Sequence, residues 1–130
     1  MSKTIAHYSS YSRANGWLHT SGQLPLLNSD TKKCPEGISA QTLLVLQKVE
    51  ALLTQEGLTK EHIIKTTAFI TDIDDWAAVN DVYASFFGDH KPARSIIPVS
   101  KLHYGCLIEL EAIAYKAPQI NHVSAIGGLR

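Results

Sequence analysis

Between Cys106 and Ala114 the chain reads CLIELEAIA, with an apolar residue at every second position and carboxylates in two of the gaps. That beat suits an extended strand, because successive strand side chains point to opposite faces. Cys106, Ile108, Leu110, Ala112 and Ala114 then form one apolar wall, fit for packing helices. Leu107, Glu109, Glu111 and Ile113 form the other face. A second strand is predicted just upstream at Ala93–Val99, where Ile96, Ile97 and Val99 are β-branched. It carries Arg94. If the two strands are neighbours, Arg94 can reach one of the carboxylates, and the pair would make a place to hold a small acid.

The rest of the chain supplies what packs on that wall. Lys3–Tyr8 reads as a short edge strand. The turn signal Asn15-Gly16 precedes a strand at Trp17–Ser21, which Gly22 to Pro25 breaks. A polar loop follows from Leu26 to Gly37. The first helix is predicted over Ile38–Glu56, with Thr42, Val45, Leu46, Val49, Leu52 and Leu53 at three- and four-residue steps. Ile63–Thr71 is a β-branched strand. Asp72, Asp74 and Asp75 crowd the start of a second helix that runs to Phe87, its buried stripe being Trp76, Val79, Tyr83 and Phe86. The order gives an α+β domain, two helices on one face of a single mixed sheet. Two helices cover only one face, so the apolar part of the other predicts a covering subunit.

Composition narrows the function. Twelve basic and twelve acidic residues cancel in 130, which points away from nucleic acid and anionic membranes as partners. No stretch approaches the ~20 apolar residues of a membrane span. Cys34 and Cys106 are read as reduced thiols of a cytoplasmic protein, without a pairing or metal role. The six histidines show no ligand spacing. No metal site is expected. Residues 1–115 form the single domain in this reading, and 116–130 extend it.

The segments TSGQLP (20–25), KTTAFITDIDDWAAVNDVYASFF (65–87), ARS (93–95) and IELEAIA (108–114) are similar to the Rid (YjgF) family. The likeness runs in order from Met1 to Ala114. It implies a chorismate-mutase-like fold, a homotrimer, and cofactor-free hydrolysis of 2-imino acids and their enamine tautomers, of the 2-aminoacrylate type, to 2-keto acids and ammonia. The resemblance places the sites in clefts between subunits. It implies that Arg94 grips the substrate carboxylate and Glu109 orients the attacking water. Tyr8, Ser21, Gly22 and Asn80 fall where the family has other pocket residues. The chain departs from the family at Ile96, where a cysteine is common, and at Leu102-His103, where Leu-Pro is usual.

Physical chemistry agrees with those two roles. A guanidinium fork fits a planar carboxylate, and a positioned glutamate can take a proton from water. Two other readings stand beside it. Arg94 with Glu109 or Glu111 could be a structural ion pair, or the protein could bind a small carboxylate metabolite without turning it over, as a sensor or scaffold. Ser21 has no adjacent histidine or aspartate, which speaks against a serine nucleophile.

Overall fold

The computed structural model describes residues 5–118. Its sheet contains β1 (Tyr11–Ala14), β2 (Trp17–Thr20), β3 (Ile63–Ile70), β4 (Ala93–Pro98) and β5 (Ile108–Tyr115), in the order β1-β2-β5-β3-β4. Only β3 and β4 are parallel; the other pairs are antiparallel. Helices α1 (Ile38–Gln55) and α2 (Trp76–Phe87) lie on one face. This is the single mixed sheet with two helices that the sequence predicts.

The alternation in β5 does what its pattern dictates. Ile108, Leu110, Ala112 and Ala114 are buried, and so is Cys106 just before the strand. They meet Thr42, Val45, Leu46, Val49 and Leu53 of α1 in one core with Leu18, Ile63, Ala68 and Ile70 of the other strands. Burying an aliphatic side chain is worth about 1.5–3 kcal/mol, so this layer dominates the stability. Residues of β3 alternate accordingly, with Thr66, Ala68 and Ile70 under the helices and Lys65, Thr67 and Phe69 facing away.

Several local expectations are corrected. Ile5–Tyr8 is not a strand; the first strand is Tyr11–Ala14, and it forms the hairpin that Asn15-Gly16 closes. Both turn residues have positive φ, 47° and 87°, the left-handed pair that a two-residue hairpin loop requires. β5 begins two residues later than its pattern, because Leu107 gives its N–H to the Gln41 side chain. Trp76 is not core: it is 44% exposed, while Phe87 is buried and Phe86 packs partly buried against the core. Gln41, polar and off the predicted stripe, is only 5% exposed. The tail at 119–130 lies outside the described residues. Among the described residues, no helix is long and apolar enough to cross a membrane.

Candidate functional site

The largest correction concerns Arg94 and Glu109. Strand β3 lies between β4 and β5, so the two strands are not neighbours. In register, Arg94 sits beside Thr66, which sits beside Ala112, all on the helix face. Glu109 sits beside Phe69, which sits beside Ile97, on the open face. Within one chain the guanidinium and the carboxylate therefore point to opposite sides of the sheet, and the structural ion pair does not form.

Arg94 is held from the α2 side. Its Nη1 donates to Asn80 Oδ1 at 3.0 Å. Its guanidinium carbon lies 4.9 Å from the centre of the Tyr83 ring and 5.3 Å from that of Trp76, distances at which a cation is drawn to an aromatic face. Tyr83 is fixed in turn by donating its buried hydroxyl to Thr66 Oγ1 at 3.0 Å, and burial pushes its pKa up to about 12. Arg94, Asn80 and Tyr83 edge a cleft of about 470 Å³ that also touches Phe87, His90 and Lys91. Among the described residues no carboxylate is within ion-pair distance of Arg94. The arginine is oriented, stacked and available to an acid from outside.

Glu109 belongs to a second cluster. Gly22 lies against it so closely that a Cβ at position 22 would collide with the carboxylate. The approach comes from an isolated bridge, in which Gln23 and Leu110 exchange both backbone hydrogen bonds at 2.7 and 3.0 Å. Partial burial first, and the negative charge of Glu111 second, raise the Glu109 pKa above the ordinary carboxylate value; nearby His103 acts the other way. That histidine belongs to the tight turn His103–Gly105, in which Tyr104 adopts φ 59°, and its ring stacks on Tyr104 at 3.9 Å. Sequence reading gave His103 no role, since nothing in its spacing shows that the turn comes near Glu109.

Ser21 ties the Tyr8 segment to this cluster. Its hydroxyl donates to the Ser9 carbonyl at 2.6 Å and its N–H to Ser10 O at 2.8 Å. Tyr8 itself is 70% exposed. The predicted residues thus fall into two groups, Tyr8, Ser21, Gly22 and Glu109 in one and Asn80 with Arg94 in the other. The structure does not bring the groups together in one chain.

The two cysteines also depart from expectation. Both are free, but their sulfurs lie 2.7 Å apart although the residues are 72 positions apart in the sequence. Spacing along the chain gives no measure of this, because the loop before α1 folds back onto the start of β5.

A mixed sheet with both helices on one face and a polar cluster on each side defines a class of small α+β proteins. The chain belongs to one family within it, the YjgF/Rid family, whose sequence profile, described as Endoribonuclease L-PSP, matches residues 1–116. A RutC family protein of Pyrococcus horikoshii is 40% identical over 114 residues, 88% of this chain and 90% of the relative. TdcF of Escherichia coli, whose name proposes a reactive intermediate deaminase, is 40% identical over 101 residues, 75% of this chain and 78% of its own. Among solved structures, TdcF with bound serine superposes with a TM-score of 0.80 at 36% identity, covering 88% of this chain and 91% of that one. The Rid protein YyfA of Yersinia pestis gives 0.80 at 45% identity, covering 87% and 90%.

Proposed function

We propose that this protein is a cofactor-free deaminase that hydrolyses 2-imino acids and their enamine tautomers to 2-keto acids and ammonia. The site is completed between subunits of a homotrimer. The observation that carries the proposal is the division of the site: Arg94 is oriented toward the helix side at an edge strand, and Glu109 lies on the open face. A neighbouring copy that lays its open face against the β4 edge can join them. The open face is suited to burial, since Trp17 and Ile97 are each 40% or more exposed there. The TdcF name and its bound serine support the substrate class, serine being a small amino acid of similar size and charge.

In this mechanism Arg94 of one copy grips the substrate carboxylate through both nitrogens, with Asn80 and the two rings fixing its plane. Glu109 of the next copy takes a proton from water as the oxygen attacks the C=N carbon. It returns the proton to nitrogen, giving a carbinolamine. It then takes the carbinolamine hydroxyl proton and passes it to nitrogen as the C–N bond breaks, so that ammonia leaves and the keto group forms. A glutamate whose pKa is raised is a better base near neutrality than an ordinary carboxylate. The imine is intrinsically reactive, so orientation and charge stabilisation are sufficient. The matching charge totals speak against an RNA substrate, despite the name of the family profile.

One observation favours a second reading. The Arg94 cradle is built without Glu109 and could hold a carboxylate metabolite in a binding protein. Complementation separates the two. Arg94→Ala and Glu109→Gln chains carrying different tags are co-expressed, and mixed trimers are purified through both tags. Each mixed trimer of either composition then contains a single junction with both native groups, so about a third of parental turnover of 2-iminopropionate returns. Glu109→Gln alone should lose about 10²-fold or more in kcat. Inactive mixed trimers would refute the shared site, and a parent that does not accelerate imine decay would leave the binder.

A further inference from the structure

We propose that Cys34 and Cys106 form a peroxide-sensitive dithiol that closes reversibly to a disulfide, tying the loop before α1 to the start of β5. The sulfurs are 2.7 Å apart, and a disulfide bond of about 2.05 Å needs only about 0.65 Å of further approach. Their placement is built in by a clamp. Gln41 donates its amide to the carbonyl of Pro35 at 2.9 Å and accepts the N–H of Leu107 at 2.8 Å. Those are the residues directly after Cys34 and Cys106, so one buried side chain fixes both backbones beside the thiols.

The surroundings supply the asymmetry the chemistry needs. Cys106 is 1% exposed, whereas Cys34 is half-buried at the loop surface. Burial, above all, pushes the Cys106 thiol up to about 12. Lys48, held by donating to Leu24 O at 2.9 Å, places its ammonium near both sulfurs and partly offsets the effect of burial on Cys106. Glu109 is the opposing negative charge.

Cys34 therefore reacts first. Its thiolate attacks one oxygen of a hydroperoxide; the S–O bond forms, the O–O bond breaks and the released alkoxide or hydroxide is protonated. Cys106 sulfur then attacks Cys34 sulfur. The S–S bond forms, the S–O bond breaks, and the departing hydroxide takes the Cys106 proton to leave as water. In sum, two thiols and one hydroperoxide give a disulfide, an alcohol or water, and one further water; the sulfurs lose two electrons and the peroxide gains them.

The test uses the intact, prereduced protein and hydrogen peroxide, followed by denaturation, maleimide trapping and intact mass. The expected product is lighter by about 2 Da, takes no maleimide and regains two labelled thiols after dithiothreitol. Closure of the long loop should raise Tm by about 10 °C or more. Cys34→Ser should lose the 2 Da change and keep one labelled thiol. Two labelled thiols after peroxide, oxygen adducts of about 16 Da or more without the 2 Da loss, or a disulfide found only between chains would each overturn the proposal. All three are read on the parent protein, so the result does not depend on the variant folding.

Discussion

Gly22→Ala isolates the position of the Glu109 carboxylate from its chemistry. Gly22 is not among the residues with positive φ, so alanine is accepted by the backbone. The three atoms nearest the new Cβ all belong to Glu109. The new Cβ would lie 2.8 Å from Glu109 Cδ and 3.2 Å from Cγ, with an oxygen nearer still, whereas ordinary contact begins at 3.4 Å. The carboxyl carbon must retreat by about 0.6 Å (3.4 − 2.8) and the near oxygen by more. Rotation of the side chain can supply that movement, so stability should change by less than about 1 kcal/mol. A catalytic group displaced by about 1 Å costs on the order of 10²-fold in rate. Turnover of 2-iminopropionate, generated in situ, should therefore fall about 10²-fold, with Tm and assembly close to parental. Full turnover in a stable Gly22→Ala protein would show that the water is not positioned by Glu109 at this location, and the mechanism would fail.

Two further outcomes follow from groups around the site. Gln41→Ala leaves the partly buried Pro35 carbonyl and Leu107 N–H without partners. A fully buried unsatisfied group costs about 1–3 kcal/mol and one that water can reach costs less, so chemical denaturation should show a loss of about 1–4 kcal/mol. The acid limb of the kcat/KM profile should lie above the ordinary glutamate value of 4.5, because Glu109 must lose its proton to act and its pKa is raised. Glu111→Gln removes one cause of that rise and should move the limb to lower pH. The sign for stability is opposite: a raised carboxyl pKa contributes stability that is full below 4.5 and is lost as pH rises through the folded value.

What could be read from the sequence was whatever depends on neighbours along the chain. The two-residue beat of β5 fixed its buried face, the three- and four-residue steps gave α1, and Asp72 accepts the N–H of Asp74 at the turn into α2 as an early carboxylate should. What depends on pairing across the chain was not legible. Periodicity says which residues of a strand share a face but not which strand lies beside it, so β3 between β4 and β5 could not be foreseen. For the same reason Gln41 fell outside the predicted buried stripe and the cysteines were read as unrelated. Trp76 was misplaced differently: helical spacing put it in the core, whereas it lies at the helix start beside Arg94.

The sheet order also bears on Ile96, the position where the family commonly has a cysteine. Ile96 pairs with Ala68, shares Arg94's face, and packs partly buried against the core. It is two strands from Glu109 and on the other side of the sheet. A side chain there can shape the floor beneath the arginine but cannot attack a carbon held in front of Glu109 of the same chain. In the shared-site mechanism the oxygen comes from water positioned by the neighbouring copy, so exchange of sulfur for a branched alkyl group alters packing volume near the carboxylate grip. Under the proposed function the departure bears on which side chains an imino acid can carry, while Arg94 and Glu109 keep their separate supports.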